Sequence, residues 1–159
     1  MHNWPIIMTI LCTILVGQNA QADMGGYTAT LTIRAPASIH EVIPLSMGVI
    51  SQPSFGSGNY SLSPSGVSSS DVEGGIIGGQ QTGHFRFSGD ANTLVSVQAT
   101  PSACTDTNIS LNQLSLSKDV ITLSGDGVGD LNVGLAVSVA SGITPGAYSC
   151  AYTVEFMYQ

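Results

Sequence analysis

The side chains with the most reactive chemistry beyond the N-terminal apolar segment are two histidines and two cysteines, His40, His84, Cys104 and Cys150. Nucleophilic catalysis needs a nucleophile, a neighbouring base and a group that orients the base. Two histidines are too few for such a set, and the sequence contains no Gly-x-Ser-x-Gly elbow. We therefore expect no catalytic residues and no enzymatic activity.

Metal and cofactor sites are equally poorly supported by the spacing of the acidic residues. Asp119, Asp126 and Asp130 surround a glycine-rich loop, but their spacing matches no EF-hand. The same loop is flanked by strand patterns on both sides, whereas a dinucleotide site needs a helix after its glycines. We expect no metal and no cofactor.

Composition sets further limits on possible partners. The formal net charge is −7, charged residues make up 8% of the chain, and the basic side chains Arg34, Arg86 and Lys118 are scattered. Neutralising phosphates or anionic lipid headgroups takes clustered lysine and arginine. Nucleic acid is thus excluded as a partner, and the 19 glycines favour a protein of strands and turns.

The N-terminal segment has the pattern of a secretory signal. An apolar run from Pro5 to Val16 precedes Ala20-Gln21-Ala22, which has the small residues of a signal-peptidase site. The run is too short to cross a bilayer comfortably. We predict that residues 1–22 are a signal peptide and that the exported chain has no membrane span.

Cleavage after Ala22 would leave Cys104 and Cys150 as the remaining cysteines. An even number of cysteines in an exported protein is typical of a disulfide framework. A metal site at these thiols is the alternative, but neither histidine is spaced near a cysteine. The sequence therefore predicts a Cys104–Cys150 disulfide.

Residues 23–36 contain a strand that is separable from the rest of the domain. Apolar side chains alternate along it with threonines and Arg34, and Pro36 ends the pattern. The apolar positions are Tyr27, Ala29, Leu31, Ile33 and Ala35. A second apolar segment begins at Ile39, so the first strand can leave the domain without removing part of that segment.

The rest of the chain predicts many short strands joined by turns rich in glycine, serine, proline and aspartate. The predicted strands are Asn59 to Ser63, His84 to Ser88, Thr93 to Thr100, Ile109 to Ser117, Val120 to Ser124 and Leu131 to Ala140. Such a series is typical of a β-sandwich. The predicted fold class is all-β, with residues 37–159 forming one domain.

The last fourteen residues predict a half-buried strand with the cleanest alternation in the sequence. Aromatic and apolar side chains occupy every second position, and smaller or polar ones lie between them. The pattern is formed by Tyr148, Cys150, Tyr152, Val154, Phe156 and Tyr158, and Gly146 precedes it.

This ending resembles the C-terminal signature of chaperone–usher pilus subunits, in which a glycine and a penultimate tyrosine bracket an alternating strand. Gly146 and Tyr158 occupy these places. The body is also similar to an uncharacterised family of exported bacterial domains that resemble pilins of the common-pilus and archaic type. That similarity lies in Leu45–Ile50, Phe85–Gly89, Leu131–Leu135 and the terminal strand.

The resemblance implies an immunoglobulin-like sandwich that lacks its last strand. Residues 23–36 of a neighbouring subunit would supply that strand, after a periplasmic chaperone had covered the groove and an outer-membrane usher had exchanged the two. Gly146, Tyr148, Tyr152, Val154, Phe156 and Tyr158 would form the groove strand. The implied product is a fimbrium at the cell surface that supports adhesion or biofilm formation, built from copies of this chain or from related subunits.

One alternative remains open on the sequence alone. A self-contained exported β-sandwich could keep Tyr27 to Ala35 as its own strand and bind a sugar or a protein at the cell surface. The two hypotheses differ in oligomeric state, because donor exchange produces a ladder of multiples and a binding module produces a monomer.

Overall fold

The computed structural model of the protein describes residues 34–159. These residues form an all-β structure with eleven strands and no helix. The strands are β1 (Ser38–Ile43), β2 (Val49–Ile50), β3 (Ser57–Leu62), β4 (Ser68–Ser70), β5 (Ile76–Gly78), β6 (Gly83–Ser88), β7 (Leu94–Cys104), β8 (Ile109–Leu116), β9 (Val120–Thr122), β10 (Val128–Ala140) and β11 (Cys150–Tyr158). Within this range no helix has the length and hydropathy of a membrane span.

The larger sheet is organised around β10, with the strand order β1-β6-β10-β3-β4 and with β8 also paired to β10. Val133 pairs with both β6 and β8, and Leu135 pairs with both β3 and β8. Since a strand has only two edges, β6 and β3 follow one another along one edge of β10, and β8 occupies the other. The long alternating segment predicted from the sequence is thus the central strand of the sheet.

A smaller sheet of three strands has the order β11-β7-β9, with every pair antiparallel. Strands β2 and β5 form an antiparallel ribbon. A bridge between Ser46 and Gln81 lies between this ribbon and the β1–β6 pair of the larger sheet. Gly48 in this ribbon has φ of 74°, a conformation that suits glycine, and an added Cβ would overlap the backbone of residues 78–80.

The main core lies between the two sheets. Phe87, Val95 and Val133, from β6, β7 and β10, are all 0% exposed. Phe87 meets Phe156 of β11 edge to face, with ring centroids 5.4 Å apart. Alternating inward positions from both sheets therefore meet in one layer, which confirms the predicted all-β sandwich.

A second, smaller apolar cluster lies at the other end of β10. It contains Tyr60, Val137, Val139 and Ile143. The Tyr60 hydroxyl donates to the carbonyl of Ser51, and burial of the ring raises the Tyr60 pKa, with a further contribution from a nearby carboxylate. Three of its members, Val137, Val139 and Ile143, also line an open groove on one side of the sandwich.

Most predicted strands are present close to their expected bounds, but β10 begins at Val128 and not at Leu131, and the bounds of β7 and β11 also differ. The sequence pattern places the end of β7 at Thr100, whereas the strand continues through Pro101 to Cys104. Pro101 pairs with Tyr152 at the start of a register shift, where β7 has one residue more than β11, and proline is tolerated at such a bulge. The terminal strand begins at Cys150, so Tyr148 lies just before it.

Candidate functional site

Two strand edges that border the sandwich on one side are not paired with each other. Among the described residues, β11 pairs only with β7 and β1 pairs only with β6. Their side chains nevertheless meet, because the Tyr152 hydroxyl donates to Glu41 Oε1 at 2.7 Å. Tyr158, at the end of β11, comes within hydrogen-bond reach of the carbonyl of Ala35, before β1. The two strands therefore run antiparallel across a gap that no backbone ladder of residues 34–159 closes.

The gap widens into a groove of about 780 Å³ at the start of β11. One wall is the segment of residues 45–50, and the other is residues 143–150 together with Tyr152. The floor comes from β8 and β10. Its side chains are Ile109, Leu111, Leu135, Val137 and Val139.

Several apolar groups around this groove remain partly open to solvent, whereas Val137, Val139 and Ile143 of its lining are at most 9% exposed. Leu111 and Leu135 of the floor and Met47 of the wall are half-buried, although they pack against buried clusters. The inward side chains of β11 are also all half-buried, whereas their β7 partners Val95 and Val97 are at most 2% exposed. Exposed apolar surface and a strand edge that no residue of 34–159 pairs with therefore lie side by side at this groove.

The predicted groove residues divide between the wall and the core. Gly146 and Tyr148 lie in the wall, where the Tyr148 hydroxyl donates to the carbonyl of Thr144. Val154, Phe156 and Tyr158 pack against the main core further along β11. The structure therefore aligns them along one border of the gap.

Tyr152 connects the groove wall to the main core. Its ring meets Phe85 edge to face at 6.3 Å. Burial raises the pKa of Tyr152, and the hydrogen bond to Glu41 and the charge of that carboxylate add to the effect. The phenol therefore remains a neutral donor at physiological pH.

The disulfide predicted from the cysteine count is confirmed. Cys104 and Cys150 are bonded, and they join the end of β7 to the start of β11 across 46 positions. Two hydrogen bonds between Thr105 and Ser149 continue the contact. Since Cys150 lines the groove, the disulfide fixes one of its walls.

At the opposite end of β11, Tyr158 holds the segment that precedes β1. Its hydroxyl accepts a hydrogen bond from the N–H of Asp90 at 3.0 Å, and Asp90 Oδ1 accepts one from the N–H of Ala35 at 2.7 Å. The Arg34 guanidinium lies 5.1 Å from the centre of the Tyr158 ring. Gly89 makes room for this contact, because an added Cβ would overlap the Tyr158 hydroxyl.

Ala35, the last predicted donor-strand residue, is thus attached to its own domain. The other predicted donor residues, Tyr27, Ala29, Leu31 and Ile33, lie outside the described residues. The sequence indicated the β11 border of the groove but not its second wall, residues 45–50. Residues 45–50 have an apolar pattern in the sequence, but the pattern does not indicate which strand this segment lies opposite.

No group of three or more histidine, cysteine, aspartate or glutamate side chains suited to a metal ion occurs in residues 34–159. Within that range, the site is an apolar groove bordered by a strand edge that no described residue pairs with.

Fold and site together define a β-sandwich domain with an open groove along its terminal strand. Residues 37–158 match the family described as a domain of unknown function (DUF4402), and the chain belongs to this family. A search of curated proteins and a search of solved structures each found no match.

Proposed function

We propose that this protein is a structural subunit of a surface pilus, in which the groove of each subunit takes the N-terminal strand of a neighbour. The open groove beside β11 is the observation that carries this proposal. Exposed apolar surface and unpaired strand edges are liabilities in water, and an added strand would remove both.

The proposed occupant is residues 27–33 of a second copy. Strand addition would supply backbone hydrogen bonds to the free edge of β11, and alternating side chains would set the register. Burying Tyr27, Leu31 and Ile33 on the groove floor would contribute at most about 1.5–3 kcal/mol each by area.

The attachment of Ala35 supports donation in trans. Its contact with Asp90 and Tyr158 lies at the far end of β11 from the wide part of the groove. Each subunit would donate at one place and accept at another, so the contact is heterologous and does not close on itself. Repetition of such a contact yields a filament.

The proposal extends to the partners that such assembly requires. A free subunit would expose its groove, so a periplasmic chaperone would cover it and an outer-membrane usher would direct the exchange. The filament would then stand on the cell surface and support adhesion or biofilm formation. This part of the proposal rests on the sequence resemblance together with the open groove.

Leu31→Asp tests donation directly. A charge at the centre of the donor face would have to enter an apolar groove, which costs several kcal/mol when it is unpaired. We expect wild-type protein to give a ladder of multiples in unboiled denaturing gels and the variant to remain a folded, disulfide-bonded monomer. A peptide of residues 23–36 should bind the variant and raise its melting temperature, since a ligand that binds only the folded state stabilises it.

The matched control is the same peptide carrying Leu31→Asp, which should have no effect. Methyl NMR signals of Leu135 and Val139 should respond to the wild-type peptide, whereas those of Val95 should not. If Leu31→Asp unfolds the domain and the peptide restores nothing, residues 27–33 belong to their own domain and the filament proposal is wrong.

A further inference from the structure

The larger sheet has a second depression, of about 340 Å³, on the face of β10 opposite the groove. Asn59, Ser61 and Ser69, from β3 and β4, line it together with Asp71, Asn112 of β8 and Ala136 of β10. The inward neighbours Tyr60 and Val137 close its base. The depression is thus a polar, solvent-facing surface that shares only the buried Val137 with the lining of the groove.

Its polar side chains are held in place by a chain of hydrogen bonds across four segments. Asn112 Nδ2 donates to Ser138 Oγ at 2.6 Å, and Ser138 Oγ donates to Asn59 Oδ1 at 2.6 Å. Asn59 then donates to Asp71 twice, from its backbone N–H at 2.7 Å and from Nδ2 at 2.8 Å. Each member therefore fixes the orientation of the next before any ligand arrives.

Asn112 occupies this position because of a β-bulge. Leu111 pairs with Val137 and Gln113 pairs with Ala136, so Asn112 is the extra residue of β8. A bulge re-aims a side chain and is over-represented beside binding and active sites. No side-chain hydrogen bond of residues 34–159 uses Oδ1 of Asn112, which leaves that acceptor for a ligand.

The charges around the depression restrict what it can bind. Asp71 is the one charged residue of its lining, and the N–H groups of Asn59 lower its pKa, the backbone N–H most. An anion would be repelled by this carboxylate and would meet no basic side chain. A calcium ion would need about 6–8 oxygen ligands, and one carboxylate is a poor start.

A neutral ligand rich in hydroxyl groups suits the remaining chemistry. A carboxylate accepts hydrogen bonds from two adjacent hydroxyls, and an amide both donates and accepts. The Ser61 and Ser69 hydroxyls share a hydrogen bond at 2.7 Å, which leaves one O–H donor and acceptor lone pairs for a ligand. The small side chain of Ala136 leaves the centre open for a ring. We propose that this depression binds a neutral sugar, as a site independent of the groove and of filament formation.

The experiment is an NMR titration of the purified protein with three probes: methyl α-mannoside, lactose and diacetylchitobiose. We expect at least one to bind with a Kd of about 1 mM or tighter and to shift the amide signals of Asn59, Asp71 and Asn112. Asn112→Ala removes the bulged amide and should weaken that binding about tenfold, the value of one lost hydrogen bond. The control Gln98→Ala removes an exposed amide from β7 in the other sheet and should leave the affinity unchanged.

Asp71→Asn keeps the size of the side chain but removes its charge, and it should weaken binding of the same sugar. Several results would overturn the proposal: no shift with any of the three sugars, or shifts that map to the groove. Equal effects of Asn112→Ala and Gln98→Ala would also overturn it. The donor-peptide experiment reads out the groove on the other face of β10, so the two proposals can fail separately.

Discussion

The two ends of β10 show what a closed and an open region of one sandwich look like. At its first half, Leu131 and Val133 belong to one buried cluster with Val95 and Phe87, and each is at most 1% exposed. At its second half, Leu135 is half-buried although Val137 and Val139 are at most 6% exposed, and the strand forms the floor of the groove. The apolar alternation is the same in both halves, so the difference comes from the cover above them and not from the strand.

The elements that lie above each half of β10 explain why one half is closed and the other is partly open. The first half is covered by β7 and by aromatic side chains of β11. The segment of residues 143–150 lies over the second half and enters β11 only at Cys150. Within residues 34–159, the smaller sheet therefore places no strand above this part of β10.

The largest expected effect concerns the disulfide, which holds the open region to the closed one. Replacing Cys104 and Cys150 by alanine should lower the free energy of unfolding by about 4 kcal/mol, the chain-entropy value for a loop of this length. Denaturant unfolding measures this loss, and donor-peptide titration should show weaker binding because the groove wall is freed. Two alkylatable thiols in the native protein would contradict the bonded state.

The next effect compares two leucines on the same strand. Leu131→Ala should cost about 3 kcal/mol, because it leaves a cavity in a closed core. Leu135→Ala should cost clearly less, because water already reaches that side chain. Denaturant unfolding of the two variants measures the difference.

With the donor peptide bound, the difference in unfolding free energy between the two variants should become smaller. The cost of Leu135→Ala should rise towards that of Leu131→Ala, since the peptide would bury Leu135. The Leu131→Ala cost should stay constant. If the peptide leaves the cost of both substitutions unchanged, it does not cover the floor of the groove.

A smaller effect is expected at the end of β11. Tyr158→Phe removes the hydroxyl that accepts from Asp90, and a lost hydrogen bond of this kind costs about 1 kcal/mol. Tyr148→Phe is the matched control, and its expected change is within about 0.5 kcal/mol because the hydroxyl lies on an exposed loop. Equal losses in the two variants would show that the Asp90 contact has no special weight.

The smallest effect is a pH dependence at Tyr152. Its pKa is raised in the folded protein, so its contribution to stability is complete below the unfolded value of about 10. That contribution is lost as pH rises from there through the folded pKa. The free energy of unfolding of Tyr152→Phe should therefore fall less steeply with pH above about pH 10 than that of the wild type. An unchanged slope would show that Tyr152 does not contribute to this pH dependence.

The sequence predicted those elements whose alternation is long enough to be read locally. β10 and β11 are the clearest cases, because five or more apolar side chains recur at period two in each. β4, which consists of three serines, was not predicted, since it forms only because β3 lies beside it. The prediction for β7 stopped short of Pro101, because only the register of its partner shows that a proline fits there.

The site was predictable along one border and not across it. Tyr152 and Phe156 follow from alternation, and the disulfide follows from the number of cysteines. The wall of residues 45–50 and the bulge at Asn112 depend on contacts between remote segments. Such contacts have no local signature, so the depression on the outer face of β10 could not be seen before the strands were assembled.

The attachment of Ala35 at one end of β11 has a mechanical consequence. A neighbour seated in the groove would pull at the Cys150 end, and the subunit's own N-terminal segment would pull at the Tyr158 end. Tension would then run lengthwise along β11, and the ladder to β7 would be loaded in shear. Because ladder bonds are perpendicular to the strands, they would have to yield together and not one after another. The disulfide closes the far end of that ladder, so a covalent bond resists the final step of extension.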